Sequence, residues 1–247
     1  MTVTLEDVSL ITGLAIDGRP PCMSTDSDGW HQQMTALIGM APTEAEADVE
    51  EGEEKKKKER KAARAAFTWI QRNFVHCPAA ANDDVIQTHA RVYMWYVVSR
   101  TLFPNSTGKN APWMWLKALT VFGSRWSWGS ATLAYLYRQL DDACCRITNM
   151  AGIGGNLLLL SVCSWERLPV GRPKSVKFNP WDEEDELRRP TWAYKWDVVS
   201  EMTNDVNLIY QKYIAELDNI APEQVGQEKA AEDKGLGQAS CFVCYPL

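Results

Sequence analysis

The sequence predicts a mainly α-helical protein, built as a single helical domain with at most a few short strands near the N-terminus. Along most of the chain, apolar residues recur at spacings of three and four, which is the period of an amphipathic helix. Hydrophobic strands and helices do not alternate, so a parallel α/β sheet is not expected. The 247 residues, of which 45% are hydrophobic and 23% charged, suit one globular core.

Two short helices are predicted near the start of the chain. Thr4 and Asp7 form a capping-box pattern ahead of an apolar face, and Gly13 marks the end of this helix. A brief strand is expected immediately before it. The apolar spacing over residues 30–38 predicts a second helix, which ends near Gly39.

Residues 43–61 are predicted to be a charged insertion, because acidic residues are followed by a basic run and almost nothing apolar is available for burial. We expect this segment to be solvated and to continue as an exposed helix into residues 65–74. Its basic half is a candidate nuclear localisation signal, and a low-complexity loop is the alternative interpretation. The candidate signal consists of Lys55, Lys56, Lys57, Lys58, Arg60 and Lys61.

Further helices are predicted in the second part of the chain. Residues 83–97 keep the helical spacing until the break at 102–105, and a shorter helix is expected from Trp113. The stretch from Trp128 to Cys145 predicts a long helix, and 157–165 predicts a buried one. A last long helix is predicted from apolar positions that follow a 3,4,3,4,4 spacing, namely Val199, Met202, Val206, Ile209, Tyr213 and Leu217.

The predicted domain spans residues 1–220, with residues 171–190 as a long surface loop because they are rich in charge and contain proline. Residues 221–247 are predicted to form a flexible connector and an apolar tail. The connector, 221–240, is rich in Glu, Gln, Lys, Ala and Gly, whereas the tail begins at Cys241.

Charge and cysteine content narrow the class of protein. The formal net charge of −6 gives no general attraction to phosphate backbones, so direct nucleic-acid contact would require a local basic patch such as 55–61. Seven cysteines form no even framework and no apolar leader follows Met1, which indicates reduced thiols in a cytosolic or nuclear protein. The longest uncharged apolar stretch, 153–165, is too short to span a membrane.

Catalytic, metal and cofactor sites are not predicted. Cys241 and Cys244 form a single pair, whereas a structural zinc site needs four ligands. No Gly-x-Ser-x-Gly elbow is present, and residues 152–155 lack the strand and glycine pattern of a phosphate-binding loop. The three histidines are scattered along the chain.

Tryptophan and arginine dominate the two most distinctive stretches, residues 125–140 and 157–173. Most of the eleven tryptophans are expected to pack helices together, since an indole buries a large area. Exposed members of the set are candidates for a protein interface, because Trp and Arg are enriched at interface hot spots. The alternative is internal pairing at helix ends. The candidate interaction residues are Trp126, Arg138, Trp165 and Arg167.

Five sequence blocks together resemble the plant mobile domain family. The blocks stand in the family's order, and the similarity covers nearly the whole chain apart from the insertion and the connector. The family normally has a further helical segment and a pair of strands before the position of Met1, so we expect an N-terminally truncated domain. The blocks are residues 2–8 with 12–18, 90–93 with 102–104, 126–131, 133–137, and 165–167 with 171–173.

The sequence is strongly patterned with helical and aromatic residues but contains no assembled catalytic constellation, so we expect a protein-interaction domain without catalysis. The family resemblance implies a nuclear protein. It implies roles in transposon silencing, gene expression and meristem maintenance, and a type-seven serine/threonine phosphatase-like protein as a possible partner. The family is also called aminotransferase-like, so the alternative is a pyridoxal phosphate-dependent enzyme or a degenerate transposon-derived one. Such an enzyme needs a Schiff-base lysine with an acid and a phosphate cup, and Lys117, inside an apolar run, has no recognisable partner set.

Overall fold

The computed structural model describes residues 2–24, 26–43, 63–120, 125–146, 152–168, 170–172, 191–196 and 205–221. Within these ranges the chain is mainly α-helical, as predicted, and contains one two-stranded sheet. The elements are α1 (Leu5–Thr12), α2 (Trp30–Ile38), β1 (Arg64–Ala66), α3 (Phe67–Phe74), α4 (Asp83–Val97), a π-helical turn (Val98–Leu102), β2 (Asn110–Pro112), α5 (Trp113–Ala118), α6 (Trp128–Cys144), α7 (Leu157–Arg167), a 3₁₀ helix (Trp192–Trp196) and α8 (Val206–Asp218).

The ends of α1 and α2 confirm the sequence prediction. The Thr4 side chain accepts a hydrogen bond from the Asp7 N–H, and the Asp7 carboxylate accepts one from the Thr4 N–H. Gly13 ends α1 with a φ of 70°, and Gly39 ends α2 with a φ of 84°. Glycine suits both positions because a left-handed backbone carries no Cβ penalty there.

The longer helices also lie where the apolar spacing places them. Helix α4 begins after Asn82, whose side-chain oxygen accepts a hydrogen bond from the Val85 N–H at 3.0 Å. It is followed by the π-helical turn, which the sequence did not predict, before the chain turns at Phe103. Helices α6 and α7 agree with the predicted ranges to within two residues. In the last helix, predicted positions 199 and 202 lie outside the described residues.

The strands lie in the middle of the chain and not at residues 2–4. Strands β1 and β2 pair antiparallel, with Ala65 opposite Ala111. Thr4 is extended but has no strand partner, because it serves as the N-cap of α1. The prediction that a helix runs through residue 65 is wrong as well, since Ala65 lies in β1 and the helix begins only at Phe67.

Two groups of buried side chains form the interior. The first lies among α2, α3, α4, α5 and the sheet, and the second among α1, α6, α7 and the 3₁₀ helix. The largest fully buried residue of the first group, Trp95, donates its indole N–H to the Pro112 carbonyl oxygen at 2.9 Å. This bond satisfies the polar atom that makes a tryptophan costly to bury.

Helix α6 joins the two groups through an aromatic seam around Phe103. The Phe103 ring stacks on Trp115 with 3.7 Å between ring centroids and 11° between planes, and Tyr135 of α6 meets it edge-on at 5.4 Å. On another side of α6, Leu133 and Leu136 are buried in the second group. One helix therefore carries side chains of both halves of the core.

The loop after α1 is fastened to the start of α6. The Gly129 N–H donates to the Ala15 carbonyl oxygen at 2.9 Å, and the Ser127 N–H donates to that of Arg19 at the same distance. A Cβ atom at residue 129 would lie 2.8 Å from Ile16 Cγ2 and 3.0 Å from the Ala15 oxygen. The loop after α1 approaches the backbone of residue 129 so closely that only glycine fits without a shift of the loop.

Several predicted segments lie largely or wholly outside the described residues: 43–61, 171–190, and 221–247. The domain boundary near residue 220 therefore stays a prediction. None of the helices in the described ranges combines the length and the apolar character needed to cross a bilayer.

We predict that Gly129→Val lowers the free energy of unfolding by about 1–3 kcal/mol, because the added side chain collides with the loop after α1. Ala134→Val is the matched control, since Ala134 is exposed on the same helix and the change costs only about 0.5 kcal/mol of helix propensity. Urea unfolding monitored by circular dichroism measures the free energy of unfolding of both variants. Equal losses of stability in the two variants would contradict the close-packing argument.

Candidate functional site

A buried carboxylate connects α1 to α7. Asp7 is 1% exposed, and its Oδ1 accepts from Arg167 Nε at 3.0 Å and from Nη2 at 2.5 Å. Its Oδ2 accepts from the backbone N–H and the hydroxyl of Thr4, both at 2.8 Å. The fork of the guanidinium thus pairs with one oxygen while the helix cap uses the other, so the buried charge is paired and well hydrogen-bonded.

The ion pair between Asp7 and Arg167 also affects the pKa values of Arg167 and of the neighbouring Cys163. The hydrogen bond to Asp7 raises the pKa of Arg167 above its usual value, so the guanidinium stays charged. Burial, followed by the negative charge of Asp7, raises the pKa of the neighbouring Cys163 thiol. Because the thiolate is the nucleophilic form, a buried and protonated Cys163 is suited to packing and not to covalent catalysis.

The C-terminal end of α7 is closed by the residues that follow it. The Arg172 guanidinium donates to the carbonyl oxygens of Trp165 and Glu166, which the helix leaves without internal partners. The Glu166 carboxylate accepts from the Trp196 indole N–H at 2.9 Å, and the rings of Trp165 and Trp196 lie 5.1 Å apart. These contacts connect the Trp-Glu-Arg motif to the 3₁₀ helix.

Gly171 provides the docking point for α8. Its N–H donates to Glu216 Oε2 at 2.7 Å, and a Cβ atom there would lie 3.0 Å from the Tyr213 ring. Its φ of 61° is in the left-handed region. The Gly-Arg-Pro block therefore has two structural uses, since Gly171 receives α8 and Arg172 caps α7.

Arg138 is exposed in the second half of α6. It lines a shallow depression together with Tyr137, Leu140, Asp141 and Cys144. The Tyr137 hydroxyl donates to the Val3 carbonyl oxygen and lies 2.8 Å from Thr2 Oγ1, so the start of the chain borders this depression.

Trp126 precedes α6 and pairs with Arg19 in a one-residue parallel bridge. Its side chain is half-buried, and its indole nitrogen has no hydrogen-bond partner among the residues that the structure describes. The four candidate interaction residues therefore occupy separate places. Trp165 and Arg167 lie together at the end of α7, whereas Trp126 lies just before α6 and Arg138 in its second half.

Lys117 and two of the three histidines hydrogen-bond to the backbone. Lys117 Nζ donates to the Asp26 carbonyl oxygen at 2.8 Å and lies 5.8 Å from the centroid of the Trp113 ring. His31 and His89 each hydrogen-bond to a backbone carbonyl oxygen. No three His, Cys, Asp or Glu side chains in the described ranges are placed to hold a metal ion. The predicted signal at 55–61 and the pair at 241 and 244 lie outside those ranges.

Sequence reasoning missed the residues that organise this region. Asp7 was identified as a capping acid, and its second role as the partner of Arg167 depends on a contact 160 positions away along the chain. Gly171 was noted within a motif, but its contact with Tyr213 was not foreseen. The local sequence around Gly171 indicates only a break after α7, and its contacts with α8 lie more than forty positions away along the chain.

The helical fold with these motifs agrees with the comparison to known families. Residues 1–228 match the family described as "Plant mobile domain". The chain therefore belongs to the plant mobile domain family.

Three relatives from Arabidopsis thaliana each match about 70% of the chain. Protein MAIN-LIKE 1 is 34% identical over 177 residues, which are 70% of this chain and 32% of that protein. Protein MAINTENANCE OF MERISTEMS is 33% identical over 177 residues, or 70% of this chain and 34% of the relative. Serine/threonine-protein phosphatase 7 long form homolog is 31% identical over 179 residues, or 72% of this chain and 12% of the relative. The chain thus matches about a third or less of each relative, and no solved structure matches it significantly.

We predict that Arg167→Met lowers the free energy of unfolding by about 2–3 kcal/mol, because it leaves the Asp7 carboxylate buried with only its Thr4 partners. The estimate is below that for a fully buried pair because the Arg167 side chain is 32% exposed. Chemical denaturation of Arg167→Met, Asp7→Asn and the double variant measures the coupling free energy between Asp7 and Arg167.

The double variant should lose less than the sum of the two single losses, since both remove the same interaction. Glu6→Gln is the control, because Glu6 is an exposed acid in the same first turn of α1. Strict additivity, or an equal loss in Glu6→Gln, would argue against the ion pair as a stabilising contact.

Proposed function

We propose that this chain is a non-catalytic protein-interaction domain that acts in the nucleus. Membership of the plant mobile domain family supports the part of this proposal that concerns meristem maintenance, because one relative is named MAINTENANCE OF MERISTEMS. The observation that carries it is the use of the Trp and Arg motifs in holding helices together, with part of the same set left at the surface. Its roles would lie in transposon silencing, gene expression and meristem maintenance.

The proposed contact surface is centred on Arg138. This residue is exposed beside Tyr137, whose side chain is 40% exposed, and the depression around them offers both charge and aromatic area. Arginine and tyrosine are among the residue types that contribute most to interface energies. Trp126 before α6, and Trp165 with Arg167 at the end of α7, are further proposed contact points.

A type-seven serine/threonine phosphatase-like protein is the proposed partner. The support is the relative named as a phosphatase 7 long form homolog, of which this chain matches 12%. The similar region makes up a small part of that longer protein. In this proposal the present chain and the phosphatase-like protein are two separate polypeptides that bind one another.

We predict that Arg138→Glu reduces capture of the phosphatase-like partner about tenfold or more, since truncating a hot-spot arginine costs about 2 kcal/mol. Affinity purification from plant nuclei, followed by quantitative mass spectrometry, measures the change. Arg72→Glu is the control, because Arg72 is exposed on α3 and carries the same charge. Capture that is unchanged in Arg138→Glu would remove this surface from the proposal.

We predict that replacing the basic run by glutamine abolishes nuclear accumulation of the chain fused to a large fluorescent reporter. The residues to be replaced are Lys55, Lys56, Lys57, Lys58, Arg60 and Lys61. The control replaces Glu50, Glu51, Glu53 and Glu54 by glutamine, which changes the charge of the same insertion in the opposite sense. Microscopy that shows unaltered nuclear accumulation after the first change would contradict a localisation role for the run.

A further inference from the structure

Helix α8 carries an exposed apolar stripe. Tyr210, Ile214 and Leu217 are 65%, 39% and 51% exposed, and their spacing of four and three places them above one another on one side of the helix. We call these three residues the α8 stripe. The neighbouring side of α8 is occupied, because Tyr213 and Glu216 contact Gly171.

We propose that the apolar tail of this chain, residues 241–247, docks on the α8 stripe. The tail reads Cys-Phe-Val-Cys-Tyr-Pro-Leu and contains no charged side chain. Both surfaces are apolar and lie on the same polypeptide. Contact between them removes apolar area of both from water. This burial is the dominant favourable contribution to the free energy of association.

The length of chain between the two elements permits this contact. Helix α8 ends at Asp218, and 19 residues, 222–240, connect the last described residue to the tail. A flexible chain of that many residues has an r.m.s. end-to-end distance of about 24 Å. Thirteen helical residues extend over about 20 Å, so the whole stripe lies within reach of the tail.

Composition favours the tail over residues 173–190 as the occupant of the α8 stripe. Residues 173–190 lie between Arg172 and the 3₁₀ helix, and half of them are charged, including a run from Asp182 to Glu186. A charged segment loses hydration when it covers an uncharged surface, whereas residues 241–247 have no charged side chain to desolvate. The proposal does not depend on the proposed function, since it concerns two parts of one chain.

The test uses the cysteines that the tail already carries, Cys241 and Cys244. Ile214→Cys places a thiol on the α8 stripe of the full chain. Leu208→Cys is the matched control, because Leu208 is 55% exposed on the same helix but faces a different side. Both variants are made in a background in which four exposed cysteines are replaced by serine: Cys22, Cys77, Cys144 and Cys145.

After mild oxidation, peptide mapping by mass spectrometry should show an intrachain disulfide to the tail in Ile214→Cys. Its yield should exceed that in Leu208→Cys by about fivefold or more, because a freely moving tail meets both positions at similar effective concentration. Amide hydrogen exchange of α8 should also become faster when residues 241–247 are deleted.

Equal disulfide yields at the two positions, or no disulfide at either, would overturn the proposal. A disulfide between two copies of Ile214→Cys would assign the stripe to self-association and would overturn it too. Unchanged exchange in α8 after deletion of 241–247 has the same consequence. Leu217→Cys replaces Ile214→Cys if circular dichroism shows that the latter does not fold.

Discussion

The buried carboxylate of Asp7 is the constraint on which one half of the structure depends. It completes the cap of α1 and pairs with Arg167 at the end of α7, so two helices far apart in sequence have fixed relative positions. A charge removed from water is tolerated only with full pairing, and both carboxylate oxygens here have partners. Next to it, Arg172 and Trp196 close the end of α7 by further hydrogen bonds.

The other half depends on aromatic packing. Phe103 stacks on Trp115 and meets Tyr135, so α6 bridges the two groups of buried residues. The tryptophans of the described residues therefore serve mainly as large packing surfaces. The Trp95 N–H donates to the Pro112 oxygen and the Trp196 N–H to the Glu166 carboxylate, whereas the indole nitrogens of Trp113 and Trp126 have no hydrogen-bond partner within the described ranges. The Trp and Arg motifs of this plant mobile domain protein hold helices to one another, and only part of each motif is left for contact with another molecule.

Local signals were sufficient for the helices and insufficient for the connections between them. The spacing of apolar residues predicted α4, α6 and α7, because that pattern is repeated over several turns. Strands of three residues carry no alternation to detect, so β1 and β2 were missed and a strand was expected before α1 instead. The candidate set included Arg167 but not its partner Asp7, since a contact between distant positions has no local sequence signature.

Thr2 and Val3 lie beside the surface around Arg138, because both contact Tyr137. The Tyr137 hydroxyl donates to the Val3 carbonyl oxygen and lies near Thr2, so the polypeptide enters the domain alongside this depression. Any polypeptide joined ahead of Thr2 therefore starts close to Tyr137, the neighbour of Arg138 in this depression. The position of a fusion is thus a variable in any binding measurement on this protein.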